Sequence, residues 1–154
     1  MAATPEITQQ VLNAHRSGFD AAMDFRFVRA SRDQVVAEFT VAAQHLQPYG
    51  IVHGGVHCGI VETICSVGAA LDALSRGQSA VGLENHTTFL RAVRAGTRLT
   101  ATATPLTRGR RTQVWEARIA DPDGRAVATG RVRVLCLDPG TDLGGEKIRG
   151  PEVG

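Results

Sequence analysis

The chain has 154 residues, 43% of them hydrophobic and 21% charged, which is typical of one globular domain with a core of ordinary size. A formal net charge of +2 and few aromatic residues argue against a nucleic-acid partner. The three cysteines, Cys58, Cys65 and Cys136, lack metal-ligand spacing, so we expect buried, reduced thiols. No cationic leader and no apolar run of membrane-spanning length is recognised, so we expect no membrane partner and a cytoplasmic location.

The N-terminal segment is predicted to form an amphipathic helix that packs on the domain or acts as a lid. Thr4-Pro5-Glu6 has the form of a helix start: a capping hydroxyl, a proline at the first helical position and an acid in the first turn. An apolar face follows, and Gly18 can end the helix. We assign residues 1–20 to this element.

Two short strands and a loop are predicted next. Phe25 to Ala30 and Val35 to Val41 have strand composition, and Ser31-Arg32-Asp33 between them is typical of a hairpin turn. From Ala42 to Val52 no clear period is present, which indicates a loop. This loop leads directly into a run of glycines.

A long apolar helix follows the glycines and is the element around which we expect the chain to be organised. Apolar side chains recur from Val56 to Leu74 on most sides of this helix, which predicts that it is covered by other elements. Ser75-Arg76-Gly77 closes it with a polar turn and a glycine. On the helix we single out Glu62 as the acid, because a carboxylate among hydrophobic neighbours is costly unless something requires it.

Four further strands are predicted after the helix, with hairpin residues in the connections at Thr107 to Arg110 and Asp121 to Gly124. Their period-two alternation favours an antiparallel sheet. The fold class is therefore α+β, with a sheet wrapped around one long helix. The tail at residues 138–154 is rich in glycine and is predicted to be disordered. The strand segments are Ala80 to Leu90, Thr97 to Thr107, Gln113 to Ala120 and Val127 to Leu137.

The glycines at the start of the helix are candidate substrate-binding residues. The first turn of a helix leaves backbone N–H groups without intrahelical partners and carries partial positive charge. Gly54 and Gly55 have no side chains, so a carbonyl could approach those N–H groups and an oxyanion could be stabilised there. The alternative is a tight turn that requires glycine for a positive φ.

The position of Glu62 favours a site shared by two chains. It follows Gly54 by eight residues, roughly 12 Å along a helix axis, so one carbonyl cannot touch both within one chain. Two antiparallel copies of the helix would bring Glu62 of one beside Gly54 of the other, which predicts a two-fold dimer. Ser66 lies on the same face as Glu62 and could hydrogen-bond its carboxylate. The alternative role for Glu62 is a structural salt bridge to an arginine.

Gln47-Pro48-Tyr49-Gly50-Ile51-Val52-His53-Gly54-Gly55, followed by Glu62, resembles the signature of hotdog-fold acyl-CoA thioesterases. It is most similar to the phenylacetic-acid-degradation (PaaI) type, which includes the Glu-dependent 4-hydroxybenzoyl-CoA thioesterases. The similarity extends from about Phe25 to Leu137, so residues 21–137 are expected to form the hotdog domain. The resemblance implies a helix wrapped by a six-stranded antiparallel sheet, and dimers that often pair into tetramers.

The resemblance also implies roles for individual residues. Glu62 would be the nucleophile or general base, and the Gly54 N–H would polarise the thioester carbonyl. Gln47 matches the position whose amide orients the carbonyl or the water, and Ser66 stands where relatives carry Thr or Ser. His53 matches the motif histidine, which in the family is more positional than catalytic. No metal or other cofactor is required, and coenzyme A enters only as part of the substrate.

Arginines are the candidate contacts to the phosphates of coenzyme A, because arginine binds phosphate well. One cluster, which includes Arg91, lies between two predicted strands, and another surrounds the next hairpin. In the family the segment matching Gly109-Arg110-Arg111-Thr112 lies near the nucleotide. We therefore expect Arg110 and Arg111, with Thr112, Arg91 and the backbone of Gly55, to contact coenzyme A.

The leading hypothesis is hydrolysis of an acyl- or aroyl-CoA to the free acid and coenzyme A. Two alternatives remain open: a hydratase or dehydratase of acyl thioesters that uses His53, and a non-catalytic acyl-CoA-binding protein. A thiol nucleophile built from His57 and Cys58 is disfavoured, because adjacent helix positions point about 100° apart. A metal site from His45, His53 and His57 is disfavoured because their spacing follows no known ligand pattern.

Overall fold

A computed structural model describes residues 8–147 of the chain and contains the long helix and all six predicted strands. The bounds agree with the predicted ones to within about two residues. The elements are α1 Gln9–Ala14, α2 Gly18–Ala22, β1 Arg26–Ala30, β2 Val35–Thr40, a 3-10 turn Ala43–His45, α3 Gly54–Leu74, β3 Ser79–Phe89, β4 Arg98–Arg108, β5 Thr112–Ala120, β6 Ala126–Leu137, β7 Asp142–Leu143 and β8 Glu146–Lys147.

The six long strands form one antiparallel sheet in the order β1-β2-β4-β5-β6-β3. Alternate side chains of β2, β4, β5 and β6 are buried, so one face of the sheet is apolar. The helix α3 packs on this face, which confirms the predicted α+β architecture of a helix wrapped by a sheet.

One close contact sets the height of α3 above the sheet. The ring of Trp115 on β5 is fully buried and lies against Gly68 of α3. A Cβ added to Gly68 would stand 2.5 Å from Cη2 of this ring, so only glycine admits the tryptophan. Because Trp115 occupies the space a side chain would take, the helix backbone lies close to β5.

The prediction that no apolar run reaches membrane-spanning length is wrong for α3. This helix has 21 residues and is long and apolar enough to cross a membrane by length and composition alone. Its apolar residues instead pack against the sheet: Ile60, Val61, Ile64 and Ala69 are fully buried in the core. A wide apolar surface is expected of a helix covered on several sides within a domain.

Two of the three cysteines are buried as the sequence predicts, and Cys58 is more exposed than predicted. Cys65 and Cys136 are buried, Cys58 is half-buried, and none forms a disulfide. Burial raises the pKa of the Cys65 thiol, and the nearby carboxylates of Glu62 and Glu116 raise it further. Cys65 is therefore a neutral packing residue rather than a nucleophile.

The N-terminal segment differs from its prediction. Within the described residues α1 begins at Gln9 and is capped by Thr8, whose hydroxyl accepts a hydrogen bond from the Val11 N–H at 3.4 Å. Thr4-Pro5-Glu6 lies outside the described residues. Gly18 does not end a helix but begins a second one, α2, with a φ of +54°. The single predicted helix is thus two short helices, and the second begins at a positive φ that a glycine permits.

The segment predicted to be a disordered tail also differs in part. Asp142–Leu143 and Glu146–Lys147 pair as a short antiparallel hairpin, β7–β8, connected by Gly144 and Gly145 at positive φ. Residues 148–154 lie outside the described residues.

Candidate active site

The start of α3 is held by a side-chain cap. His53 is the N-cap residue, and its Nδ1 accepts a hydrogen bond from the Gly55 N–H at 2.8 Å. The cap occupies the Gly55 donor, whereas the Gly54 N–H has no acceptor among the described residues. Of the two glycine N–H groups proposed from the sequence, Gly54 is therefore the free one, and it lies at the positive end of the helix dipole.

Neither of these glycines is required for a positive φ, so that alternative is wrong. Positive φ falls instead on Gly50 (+72°), in the turn before the helix. Gly54 and Gly55 instead have no room for a Cβ, because an aromatic ring lies close to the backbone at each position. A Cβ on Gly54 would lie 2.7 Å from the ring of Phe89, and a Cβ on Gly55 would lie 2.9 Å from Nδ1 of the capping His53.

Gln47 lies beside Gly54 in a cavity of about 330 Å³. Its Oε1 accepts a hydrogen bond from the Tyr49 N–H at 3.1 Å, which leaves its NH2 group as a donor. The wall of the cavity is largely apolar and also holds the imidazole of His57 and the backbone before β4. Its lining residues are Gln47, Ile51, Val52, Gly54, His57, Phe89, Leu90, Arg91 and Ala92.

His57 is a cavity residue that the sequence analysis set aside. Its side chain is buried, its Nδ1 has no hydrogen-bond partner in the part of the chain that the structure describes, and its ring lies 6.1 Å from that of Phe89. Desolvation by burial lowers the pKa of His57 to about 4. The imidazole is therefore neutral near pH 7 and adds no charge to the cavity.

Glu62 stands further along α3 and is fixed by neutral donors. The Ser66 hydroxyl donates to Oε1 at 3.2 Å, as its position one turn later predicted. Asn85 on β3 donates from Nδ2 to Oε2 at 3.0 Å and to the Cys58 carbonyl at 3.0 Å. Asn85 is itself oriented by the Thr87 hydroxyl, which donates to its Oδ1 at 2.7 Å.

No cation neutralises Glu62. Among residues 8–147 no Lys, Arg or His nitrogen lies within 4.0 Å of its carboxylate, so the salt-bridge alternative is wrong. The carboxylate instead packs directly against Gly82, where β3 has a bulge and a Cβ would collide with Oε1. A carboxylate that is held by neutral groups and left half-buried keeps oxygen lone pairs for a further partner.

Asn85 and Gly82 were missed from the sequence. Both lie in the mostly exposed strand β3, within a run of polar residues that marks none of them as a contact of the helix. Only the pairing of β3 with β6 and the packing of β3 on α3 bring Asn85 to Glu62.

Asp72 is a second acid on α3, which the sequence analysis passed over. It is fully buried, and its carboxylate lies 2.6 Å from Nη1 of Arg76 and 3.1 Å from Nη2 of Arg32. Gln113 Nε2 donates to the same group at 3.2 Å. Asp72 is therefore part of a structural ion-pair network at the far end of the helix.

The candidate coenzyme A contacts fall in two places. Arg91 lines the cavity beside Gly54, and Gly55 is exposed next to it. Arg110, Arg111 and Thr112 are exposed on the β4–β5 hairpin, where the Arg110 carbonyl accepts a hydrogen bond from Gln78 Nε2 at 3.2 Å just beyond the end of α3. The fold of one chain does not bring these two groups together, because the length of α3, roughly 30 Å, separates them.

Within residues 8–147 no group of three His, Cys, Asp or Glu side chains could hold a metal ion. His45 is buried and serves the fold: Nδ1 accepts from the Ala42 N–H at 2.9 Å, and Nε2 lies 2.8 Å from the Met23 carbonyl, to which it donates. Nδ1 of His53 accepts the hydrogen bond from the Gly55 N–H that caps α3. That cap disfavours His53 as the acid–base group of a hydratase.

The chain is similar to known proteins over most of its length. Residues 49–128 match the model of the thioesterase superfamily. The chain is 34% identical over 133 residues to 1,4-dihydroxy-2-naphthoyl-CoA hydrolase of Escherichia coli, covering 86% of this chain and 96% of that protein. It is 33% identical over 138 residues to the proofreading thioesterase EntH of Klebsiella pneumoniae, covering 89% and 99%.

A solved structure gives the same result for the fold. A thioesterase from Haemophilus influenzae superposes with a TM-score of 0.80 at 30% identity, covering 87% of this chain and 93% of that one. These matches extend over most of the chain and include both the glycine turn and Glu62. The chain therefore belongs to the thioesterase superfamily of hotdog-fold enzymes, which hydrolyse acyl-CoA thioesters.

Proposed function

We propose that this thioesterase cleaves an acyl- or aroyl-CoA with Glu62 as nucleophile or general base and the Gly54 N–H as the donor to the thioester oxygen. The observation that carries the proposal is the state of Glu62: neutral donors orient its carboxylate, and no cation of residues 8–147 neutralises it. Such a group keeps its electron pairs for the thioester carbon or for a water molecule.

The oxygen of the thioester would be held at the start of α3. As the carbonyl carbon is attacked, negative charge develops on this oxygen, and donors that are already in place stabilise it. The Gly54 N–H and the Gln47 NH2 line one cavity, and both lack another acceptor among the described residues. Loss of the thiolate, which takes up a proton, then releases coenzyme A. The free acid forms directly where Glu62 activates the attacking water, or after a water molecule hydrolyses the anhydride where Glu62 itself attacks.

Two chains are needed to complete the site under this proposal. Gly54 and Glu62 are eight residues apart on one helix, and Glu62 does not line the cavity that contains Gly54. The strand β3, which carries Asn85, is an edge strand of 11 residues that pairs only with β6 among the described residues. The open edge of this strand presents backbone N–H and C=O groups that a second strand can bind. Pairing two copies of β3 would join two sheets around antiparallel copies of α3.

A homotetramer is a further part of the proposal. The face of the sheet away from α3 carries a groove of about 750 Å³ lined by threonines and by Glu116, Arg118 and Arg131. Both signs of charge are present on this face, so two dimers could pack through it.

Coenzyme A would extend from the site toward arginines of both chains. Arg91 stands beside the Gly54 cavity, and Arg110, Arg111 and Thr112 lie beyond the C-terminal end of the helix that supplies Glu62. Glu62 and the C-terminal end of α3, beside which the hairpin lies, are roughly 18 Å apart along the helix axis, which suits an extended ligand. The free thiols of all three cysteines fit the reducing cytoplasm that we propose as the location.

The test is thiol release from a panel of short, long and aromatic acyl-CoAs. Glu62→Gln and Glu62→Ala should lower kcat by about 10²- to 10⁴-fold, because the reacting carboxylate is removed. Asp72→Asn, at the structural acid of the same helix, is the matched control and should retain kcat at a temperature where it is folded. Wild-type rates in both Glu62 variants would refute the role of Glu62, and binding without turnover by the wild type would favour a non-catalytic protein.

A further inference from the structure

We propose that Phe19 of α2 forms a wall of the acyl pocket and limits the bulk of the acyl group next to the carbonyl carbon. This inference rests on the proposed function, because it takes Glu62 as the residue that meets the thioester. It assigns a role in substrate selection to the N-terminal segment, whose function could not be identified from the sequence.

The first observation is where the phenyl ring lies. Phe19 packs on α3 at Gly59, and a Cβ added to Gly59 would stand 2.6 Å from Cε1 of the ring. The ring thus fills the space of the missing side chain. Gly59 precedes Glu62 by three residues, which places the two about 4.5 Å apart along the axis and about 60° apart around it. Phe19 is therefore an apolar neighbour of the candidate catalytic acid.

The second observation is that α2 is fastened at this point. The Thr63 hydroxyl donates a hydrogen bond to Oδ1 of Asp20 at 2.9 Å, between residues 43 positions apart in the chain. Thr63 directly follows Glu62 on α3, and Asp20 directly follows Phe19 on α2. The hydrogen bond and the ring contact together fix α2 across the part of the helix that carries Glu62.

The third observation is the exposure of the ring. Phe19 keeps 48% of its surface accessible although one side of the ring rests on the helix. A single exposed apolar side chain is common on protein surfaces, so it is the position of this ring on Gly59, one helical turn before Glu62, that makes it a candidate contact of the acyl group. Phe89, which lies over Gly54 in the other half of the site, is 55% exposed. In the two-chain site, each half therefore presents one phenyl ring to the acyl group.

These placements determine what Phe19 would do. In the two-chain site the carbonyl lies between Glu62 of one chain and Gly54 of the other. From the carbonyl carbon the acyl chain then extends past the Phe19 ring that rests on Gly59. A slim acyl group gains apolar contact there, whereas a branched one collides with the ring. A pocket wall of this kind discriminates by about 10- to 200-fold per methylene-sized change.

The test compares kcat/KM for acyl-CoAs that differ only in bulk beside the carbonyl: propionyl against pivaloyl, and benzoyl against 2-methylbenzoyl. Phe19→Ala should raise the bulky-to-slim ratio by about tenfold or more, and Phe19→Trp should lower it. Leu106→Ala is the control, since it removes an equally exposed apolar side chain from β4 and should leave the ratio unchanged.

Gly59→Ala provides a second route to the same result without removing the phenyl. The added Cβ displaces the ring from α3, so this variant should also raise the ratio, and it should add nothing in the Phe19→Ala background. Phe19→Leu serves if Phe19→Ala does not fold. If kcat/KM for the bulky and the slim acyl-CoA changes by the same factor in every variant, Phe19 only packs α2 onto α3 and the inference is overturned.

Thioether analogues of the same acyl-CoAs, which cannot be hydrolysed, separate this inference from the proposed function. Their dissociation constants should follow the same ratios across the Phe19 variants. If the wild type binds the analogues with selectivity that depends on Phe19 but releases no thiol, the proposed function fails and the pocket wall stands. If turnover is normal and neither ratio responds to Phe19, only the pocket wall fails.

Discussion

The two halves of α3 treat their polar groups in opposite ways. In the C-terminal half Asp72 is fully buried, and its carboxylate forms ion pairs with three arginines: Arg76 of the turn after α3, Arg32 of the β1–β2 turn and Arg108 of β4. Its Oδ1 has ion-pair contacts but no hydrogen bond among the described residues. In the N-terminal half Glu62 has only neutral donors, the Gly54 N–H has no acceptor, and Nδ1 of His57 has no partner among the described residues.

The difference shows what each half is for. A buried charge is tolerated when cations and hydrogen bonds compensate for its desolvation, and Asp72 meets that condition with Arg76 and Gln113. It therefore ties the end of the helix to the sheet. Unmatched polar groups cost free energy in the folded chain, and they persist where a ligand completes them. The N-terminal half has the character of a site, and the C-terminal half has that of a scaffold.

Asp72 gives the strongest test of this contrast. Asp72→Asn should lower the free energy of unfolding by about 3 kcal/mol, because it removes the negative charge that accepts the Arg76 hydrogen bond and pairs with Arg32. Urea denaturation followed by circular dichroism measures this. Glu62→Gln, which keeps the shape of its side chain and breaks no ion pair, should change the same free energy by less than about 1 kcal/mol. Equal losses in the two variants would remove the distinction between the halves.

His57 makes the N-terminal half sensitive to acid. Its pKa is lowered to about 4 by desolvation, while the unfolded chain has the ordinary value of 6.5. Between these values the unfolded chain binds more protons, so stability falls as the pH falls from 6.5 to 4, by about 3 kcal/mol in total.

Replacing His57 by Leu should flatten this part of the profile. Unfolding free energies of wild type and variant, measured at pH 7 and at pH 4.5, give the pH dependence of each. Their difference isolates His57 from the other groups that titrate in this range. Identical pH dependence in the two proteins would contradict a buried, neutral imidazole.

Asn85 should have the smallest effect of the three and should act on the reaction rather than on stability. Asn85→Ala removes the donor to Oε2 of Glu62 and should lower kcat by about 10- to 100-fold, as expected for the loss of a hydrogen bond to a charged group. Thr87→Val, which removes only the hydroxyl that orients Asn85, should have a smaller effect in the same direction. Unchanged kcat in Asn85→Ala would mean that Ser66 alone positions Glu62.

The sequence by itself determined the features that depend on local periodicity and spacing. The apolar period of Val56 to Leu74 set the helix, the alternation in the later strands set the sheet, and the eight residues from Gly54 to Glu62 implied two half-sites. The cap by His53 and the contact of Ser66 with Glu62 are also local, because each joins residues at most four positions apart.

Only the tertiary structure decided which distant groups meet. Asn85 reaches Glu62 through the register of β3, Phe19 reaches Gly59 through the turn at Gly18, and Asp72 gains its arginines from separate elements. Asp72 and Glu62 look alike in the sequence, as acids on the same apolar helix. Their environments differ because charge compensation and desolvation depend on neighbours in space, which the spacing of residues along one helix does not specify.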